Sequence, residues 1–251
     1  AEIFRKIPGY KDADDLALEC DNIAGTMHNK AAKKHWIKKI LIALAVVAII
    51  IIPQTSYARY YMAKAFMHFG SYTKAIDVYE KLGTFKDSKA RLIESRYLNA
   101  NILAKDKKYK TAAGEYAKLG SYRDSESKLV LMQQKLIEKS KPGTKLKIGK
   151  YEWVILYKDD SKAFLMKYSS MNEMPYNSEA VDTTWESSSL REWLNSDFLN
   201  NSFSEAEKAN IILSEVDNSD NPIYNTSGGN DTMDYIFILS AGEAREYSDL
   251  F

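Results

Sequence analysis

Residues 177–191 carry side chains that could bind a sugar or a peptide. Trp185 offers an aromatic face, Glu186 a carboxylate, Arg191 a guanidinium and Asn177 an amide. An amphipathic ring next to charged hydrogen-bonding groups suits such ligands. The alternative is structural: Trp185 fills the edge of the core, Glu186 begins a helix, and Arg191 pairs with Glu186 or a neighbour. We favour the structural alternative and keep the ligand site as a hypothesis.

A second group of oxygen donors lies at 217–221, where the sequence reads Asp-Asn-Ser-Asp-Asn. Carboxylates such as those of Asp217 and Asp220 suit Ca²⁺, but the segment lacks the glycine and the distal glutamate of an EF-hand loop. A solvated turn is the favoured interpretation. We therefore predict no cofactor, with Ca²⁺ at Asp217 and Asp220 as the alternative.

The chemistry open to the C-terminal half is narrow. The histidines are His28, His35 and His68, and the single cysteine is Cys20, so none lies in 144–251. This excludes Ser-His-Asp and Cys-His catalysis and histidine-ligated zinc from that region. Carboxylate chemistry, such as cleavage of a glycosidic bond, stays open. No catalytic residue is predicted, and a net charge of +1 gives no indication of nucleic-acid binding.

Helices and strands must position these side chains. Apolar runs predict strands at 145–148, 153–157, 163–166, 211–213 and 235–239. A helix over 187–199 is predicted from one apolar stripe, made of Leu190, Trp193, Leu194 and Phe198. Ser204 and Ser240 are predicted to cap two short helices.

The region before these elements contains a repeat. Leu82-Gly83-Thr84-Phe85-Lys86-Asp87-Ser88 returns 37 residues later as Leu119-Gly120-Ser121-Tyr122-Arg123-Asp124-Ser125, and a partial copy occupies 4–13. Such a period predicts stacked helix pairs. Gly83 and Gly120 are predicted to end one helix, and the Asp-Ser pairs to open the next with side-chain oxygens on its free N–H groups.

Within each copy, an aromatic and a small residue precede this motif at fixed spacing. Gly70-Ser71-Tyr72-x-x-Ala75 matches Lys107-Lys108-Tyr109-x-x-Ala112. This pattern resembles the tetratricopeptide repeat, although the period is longer and that family's tryptophan and closing proline are missing. The resemblance implies a docking surface for a protein partner, while the tyrosines and leucines themselves are interpreted as packing residues.

Residues 40–52 form an unbroken apolar run of thirteen side chains, preceded by several lysines. With its flanks, the window 36–58 is long enough to predict a transmembrane helix. Its expected interfacial anchors and end residues are Trp36, Lys38, Lys39, Ile40, Ile52 and Tyr57. A buried core helix and a cleaved signal peptide are the alternatives. The lysines predict a cytoplasmic N-terminus and an extracytoplasmic C-terminus, with the bilayer as a partner.

The C-terminal region carries a longer resemblance. Its motifs are Tyr176-Asn177, Thr184-Trp185-Glu186-x-Ser188-Ser189-Leu190-Arg191-x-Trp193-Leu194-Asn195, Phe203-Ser204-x-x-Glu207 and Asp234-Tyr235-Ile236-Phe237-Ile238-Leu239-Ser240. These motifs are similar to a bacterial domain of unknown function that follows a membrane segment and helical repeats. That domain is in turn similar to the C-type-lectin-like fold of formylglycine-generating and sulfatase-modifying factors. The resemblance implies a domain over 144–251 that lacks its last strands.

Together these patterns predict an α+β multidomain chain. Its parts are a cytoplasmic helical segment (1–35), a transmembrane helix (36–58), tetratricopeptide-like repeats (59–141) and a lectin-like domain (144–251). The expected function is a non-enzymatic, single-pass bacterial cell-surface scaffold or binding protein, with a subunit of a larger membrane complex as a variant of this hypothesis. The repeats would dock a protein, and the last domain would bind a carbohydrate or peptide. The alternative is a cell-surface hydrolase that acts on envelope carbohydrate or peptide through carboxylates.

Overall fold

A computed structural model describes residues 13–51, 55–169, 173–221 and 223–250. It divides the chain into two compact units, Ala1–Ala65 and Phe66–Phe251. In the first unit, helix α1 spans Ala13–Ile51. Helix α2 spans Ser56–His68 and contains the boundary between the units. The partial repeat copy at 4–13 lies almost wholly outside the described residues.

The predicted transmembrane helix at 36–58 is wrong: of the helices described, none combines the length and the apolar composition needed to cross a bilayer. Helix α1 contains the apolar run from Ile40 as far as Ile51. These twelve residues span only about 18 Å, against a hydrocarbon core of about 30 Å. The lysines that were interpreted as flanks lie within the same helix. The predicted fold class included this transmembrane helix, and the predicted single-pass location in a bacterial membrane depended on it. Both predictions are therefore wrong as well.

The anchor residues are distributed differently from the prediction. Trp36, Lys38, Lys39 and Ile40 lie on α1, and Tyr57 lies on the separate helix α2. Ile52 lies outside the described residues. The sequence pattern overstated the span because it joined the apolar run to aromatic residues that belong to another helix.

Two helical hairpins open the second unit. The first hairpin pairs α3 (Tyr72–Leu82) with α4 (Ser88–Lys105), and the second pairs α5 (Tyr109–Ala117) with α6 (Ser125–Lys139). Their turns share a backbone conformation, because Lys86 and Arg123, 37 residues apart, both have positive φ, at 50° and 51°.

The helix starts at Ser88 and Ser125 are confirmed, with Asp87 and Asp124 in the N-cap position. The predicted capping bonds are absent, because neither side chain bonds the backbone of the helix it precedes. Asp87 instead pairs with Arg91 at 2.9 Å, and Asp124 accepts a hydrogen bond from the Tyr97 hydroxyl at 2.7 Å. The carboxylates of these two aspartates therefore bond side chains and do not cap the helices.

The terminal domain, residues 144–250, begins with an antiparallel sheet in the order β1-β2-β3. Its strands are β1 (Lys145–Ile148), β2 (Tyr151–Lys158) and β3 (Ala163–Lys167), as predicted. The β1–β2 turn requires Gly149, where φ is +58° and a Cβ would lie 2.2 Å from the Ser202 carbonyl oxygen. This close approach places the turn against the helices that follow.

A nearly continuous helical segment then packs against the sheet. It contains a 3₁₀ turn (Trp185–Ser187), α7 (Ser189–Trp193), a π-turn (Leu194–Phe198) and α8 (Leu199–Ser202). The predicted apolar stripe is confirmed, since Leu194 and Phe198 are buried with Leu190 and Trp193 packed against them. The core also includes Trp153, Trp185 and Phe203.

Three short helical elements and one small sheet complete the domain. They are α9 (Glu205–Lys208), the antiparallel pair β4 (Ser214–Val216) and β5 (Thr232–Asp234), α10 (Ala241–Glu246) and a 3₁₀ turn (Ser248–Leu250). The predicted caps are confirmed, because Ser204 and Ser240 both form complete capping boxes with Glu207 and Glu243. The chain is thus of mixed helix and sheet.

The two predicted strands at 211–213 and 235–239 are wrong in position. Ile211, Ile236 and Phe237 pack their side chains against the core. The Asn195 side-chain oxygen accepts hydrogen bonds from the backbone N–H groups of Tyr235 and Ile236. These backbone groups are therefore bonded to a side chain, and the ladder forms at the polar residues beside them.

Candidate functional site

The predicted ligand group lies where the segment before α7 meets β5. Ser188 caps α7 by accepting a hydrogen bond from the Arg191 backbone N–H. This fixes the first helical turn and aims the Arg191 side chain at β5. Trp185 lies one turn earlier, with its ring buried in the core. The sequence therefore folds this region around a helix start that a serine caps.

Asp234 is the centre of the group. Its side chain is fully buried and receives the Arg191 Nε–H at 2.8 Å on one oxygen. The other oxygen accepts hydrogen bonds from Trp185 Nε1 at 2.9 Å and from the Thr232 hydroxyl at 2.7 Å. The buried charge is thus paired and fully hydrogen-bonded, as a stable buried carboxylate requires.

Arg191 uses its remaining donors on the backbone. Nη1 donates to the Glu186 carbonyl oxygen at 3.1 Å, and Nη2 donates to the Met233 carbonyl oxygen at 3.3 Å. The Glu186 carboxylate instead accepts a hydrogen bond from the Asn230 amide at 2.9 Å. Arg191 therefore pairs with a neighbour, Asp234, and ties the helix start to the last strand.

Asn177 belongs to a different part of the same surface. Its side-chain oxygen accepts the Ser189 backbone N–H at 3.2 Å, while its amide donates to the Glu179 carbonyl and to Thr183. It thus holds the loop before the helix. The structure brings Trp185, Glu186 and Arg191 together and places Asn177 beside them, in a supporting position. Ligand binding by these four side chains stays a prediction.

Three members of this group, Asp234, Thr232 and Asn195, were not predicted from the sequence. Asp234 stands at the start of the quoted Asp234-Tyr235 motif, so the signal was visible in the resemblance. Its partner was not, since Asp234 lies 43 residues from Arg191 along the chain. Only the pairing of β5 with the helix start reveals the contact.

The predicted Ca²⁺ donors serve their own loop. Asp217 accepts the Ser219 hydroxyl at 2.7 Å, and Asp220 accepts the Gly228 N–H at 3.2 Å. Gly228 is needed here because a Cβ would lie 1.7 Å from the Asn218 carbonyl oxygen. Across the parts of the chain that the structure describes, no three acidic, histidine or cysteine side chains gather as a metal site would require.

A second buried carboxylate, Glu207, lies where the terminal domain meets the second hairpin. One oxygen accepts hydrogen bonds from Gln133 Nε2 and from the Gly149 N–H, both at 2.8 Å. The other accepts the Ser204 backbone N–H at 2.9 Å and the Ser204 hydroxyl at 3.1 Å. Burial opposes ionisation, but these hydrogen bonds outweigh it and lower the pKa of Glu207.

The hairpin side of this contact is equally specific. Gln134 donates to the Asn210 side-chain oxygen at 2.8 Å, next to the Gln133–Glu207 bond. At the far end of α6, Lys158 of β2 donates to the Ile137 and Glu138 carbonyl oxygens, at 3.1 and 2.5 Å. These carbonyls belong to the last turn of the helix, where i+4 donors are missing, and the Ile137 oxygen also accepts the Ser140 N–H. The hairpin and the terminal domain are therefore joined along the C-terminal half of α6.

Comparison with known proteins assigns part of this domain. Residues 160–250 match the family described as Domain of unknown function (DUF6273). The expected domain of unknown function is therefore confirmed over these residues, which include Asp234 and Glu207. No curated protein and no solved structure matches the chain.

Proposed function

We propose that this chain is a non-enzymatic scaffold in which the helical hairpins dock a protein partner and the terminal domain closes the end of the helical array. The observation that carries the proposal is the bonding of the two buried carboxylates. Asp234 and Glu207 spend their oxygens on donors of the protein itself. Both residues therefore support the fold.

This bonding counts against the alternative of a carboxylate-based hydrolase. A general acid needs a raised pKa so that it is protonated at working pH. The hydrogen bonds to Glu207 shift its pKa in the opposite direction. Asp234 has no exposed side-chain surface from which to reach a substrate. The buried acids of the terminal domain thus suit structural support better than proton transfer.

The hairpins supply the surface that the scaffold would offer. Tetratricopeptide-like hairpins stack so that one helix of each pair faces a common side. Exposed charges of both signs follow these helices, such as Lys74 and Asp77 on α3 and Lys110 on α5. A partner with a mixed-charge surface is the occupant that this face favours.

The test is cross-linking of the full chain to proteins captured by it, followed by mapping of the linked residues. We expect links on α3 and α5, and weaker capture of the same partner by the double variant K74E/K110E. The matched control K162E reverses a charge in the exposed β2–β3 turn and should leave capture unchanged. Hydrolysis of a carbohydrate or peptide that is lost in a single carboxylate variant would overturn the proposal.

A further inference from the structure

The contact between the second hairpin and the terminal domain repeats the contact between the two hairpins. At the first junction, Arg96 of α4 donates to Glu115 of α5 at 3.0 Å. An offset of 37 residues carries Arg96 to Gln133. At the second junction, Gln133 of α6 donates to Glu207 of α9 at 2.8 Å. Helix α9 therefore stands against the second hairpin as α5 stands against the first.

The first junction has a further component that follows α5. The turn Tyr122-Arg123-Asp124 packs back on α4. The Tyr122 hydroxyl donates to Glu94 at 2.5 Å, and the Tyr122 ring lies 5.8 Å from that of Tyr97. Tyr97 in turn donates its hydroxyl to Asp124 at 2.7 Å. The turn thus covers the surface of α4 beside α5. Its Tyr122 ring contacts the Tyr97 ring, and its Asp124 carboxylate accepts the Tyr97 hydroxyl.

The second junction has only part of this turn, because Asn210, just after α9, bonds Gln134 as Asp124 bonds Tyr97. The chain then leaves the hairpin, since Ile211 packs against the core of the terminal domain. An open crevice is left at this place, formed by α6 on one side and by α9 with the residues after it on the other. Its lining residues are Ser127, Val130, Leu131 and Gln134, facing Ala206, Ala209 and Asn210.

The crevice lies where the aromatic residue of that turn would stand. Leu131 and Gln134, which line it, are the residues 37 positions after Glu94 and Tyr97, which hold the turn at the first junction. Leu131 is 46% exposed, a large fraction for a leucine on a packed helix. The crevice is therefore continuous with an interface that is already formed by Gln133 and Gln134.

We propose that this crevice binds a turn of a partner protein that presents a phenylalanine, in the place that Tyr122 occupies at the first junction. The inference rests on the proposed scaffold function and names one of its contacts. Leu131 stands where Glu94 stands at the first junction, so the crevice offers apolar surface in place of the acceptor that a tyrosine hydroxyl needs. Of the polar residues in the lining, Gln134 and Asn210 already bond each other, so an apolar ring is the better match to Leu131 and the two alanines.

The chain itself contains a turn of the right composition, which supplies a probe. The first hairpin carries Leu-Gly-Thr-Phe-Lys-Asp-Ser at 82–88, with Phe85 in the position of Tyr122. A synthetic peptide of this sequence would be titrated into the ¹⁵N-labelled full chain. We expect amide shift changes at Leu131, Gln134 and Ala209, strongest for the phenylalanine peptide, weaker with tyrosine in its place and absent with alanine.

Two variants test the chemistry of the crevice. L131E restores the acceptor of the first junction and should reverse the preference, so that the tyrosine peptide gives the larger shifts. A209F fills the crevice from an exposed position and should abolish binding. I102E is the matched control, since Ile102 is also an exposed apolar residue on a hairpin helix. It should bind the phenylalanine peptide as the native chain does.

Equal shifts with the phenylalanine and alanine peptides, or no shifts at the three crevice amides, would overturn the inference. Failure of the scaffold function is a separate result, because it would appear as a partner that makes no contact with α3 or α5. If a partner is cross-linked to α3 or α5 but the peptide causes no shifts in the crevice, the scaffold function is supported and the crevice contact is wrong.

Discussion

In the two hairpins, polar side chains meet at the partly exposed edges of helices, whereas in the terminal domain they meet in the interior. Arg96, with 15% of its side chain exposed, bridges Glu80 and Glu115. Asp234, with no exposed side-chain surface, joins Arg191, Trp185 and Thr232. Water can replace a lost partner at the first site but not at the second.

The difference teaches which contacts define each region. The hairpins are held mainly by packing of small and aromatic residues such as Ala75, Tyr79, Ala112 and Tyr116, all almost fully buried. Their ion pairs lie at the partly exposed edges of the helices and add a smaller contribution to stability. In the terminal domain, a few buried carboxylates decide how separate segments are joined, so each of them should be more sensitive to substitution than any surface pair.

The largest expected effect is at Asp234. D234A leaves the Arg191 guanidinium, the Trp185 N–H and the Thr232 hydroxyl without their acceptor in the interior. Loss of one partner of a buried pair predicts about 4 kcal/mol of lost unfolding free energy. Urea unfolding of the purified chain measures it. D234N keeps the shape and one acceptor and should lose less, and a loss below about 1 kcal/mol in D234A would contradict the buried-pair interpretation.

Glu207 should come next, because its partners are neutral. E207A removes the acceptor of Gln133, Gly149 and Ser204, at a site that is 5% exposed. Unpaired buried donors of this kind predict a loss of about 3 kcal/mol, measured by the same urea unfolding. The matched control is E205A on the same short helix, whose side chain is 87% exposed. It should stay within about 0.5 kcal/mol of the native chain.

These two acids also show which contacts can be predicted from the sequence and which cannot. Helix starts at Ser88, Ser125 and Ser204 and the first three strands could be predicted, because caps and alternation are local signals. The partners of Asp234 and Glu207 could not, since Arg191 and Gln133 lie 43 and 74 residues away along the chain. Contacts at such separation leave no periodic pattern in one sequence.

The apolar runs failed for a related reason. Ile211 and Phe237 belong to runs that look like strands, yet they face the core from segments without a ladder. The predicted transmembrane window 36–58 joined the run at 40–52 to Tyr57, which belongs to another helix. Hydrophobicity located buried or apolar side chains in these places, but it did not determine the backbone that carries them.

The charge of Glu207 should also appear in the pH dependence of stability. The folded chain lowers the pKa of Glu207 below its ordinary value of 4.5. A lowered folded-state pKa adds stability above the unfolded pKa, and this stability is lost as pH falls from about 4.5 through the folded value. In E207Q this contribution is absent. The difference in unfolding free energy between the native chain and E207Q should therefore shrink as pH falls below about 4.5.

A constant difference across this range would contradict the role assigned to the Glu207 charge. The hairpin variant S95A is the comparison for this measurement. It removes a hydrogen bond from the Ser95 hydroxyl to the Arg91 carbonyl oxygen, in which neither group titrates, and it leaves Glu207 in place. Its pH curve below about 4.5 should therefore run parallel to that of the native chain.

At the hairpin edge, Arg96 itself should matter moderately. R96A breaks the bridge from α4 to Glu115, whose side chain is 15% exposed, and to Glu80, whose side chain is 46% exposed. Partly exposed ion pairs predict a loss of about 1 kcal/mol in thermal or urea unfolding. R96Q imitates the Gln133 contact of the second junction and should recover part of this loss. If R96A loses as much unfolding free energy as E207A, polar contacts at the hairpin edge are as important as those in the interior, and the proposed difference between the two regions is wrong.

The smallest effect should have the opposite sign. Ser88 and Ser125 occupy equivalent positions of the two hairpins, are fully buried, and have hydroxyls with no hydrogen-bond partner in the described structure. Removal of an unpaired buried hydroxyl removes its desolvation cost, so S88A and S125A should raise the unfolding free energy by about 0.5 kcal/mol each. The control S95A loses a 2.7 Å bond to the Arg91 carbonyl and should destabilise. Destabilisation by all three substitutions would show that the two repeated hydroxyls are bonded in solution, which would make the hairpins more like the terminal domain.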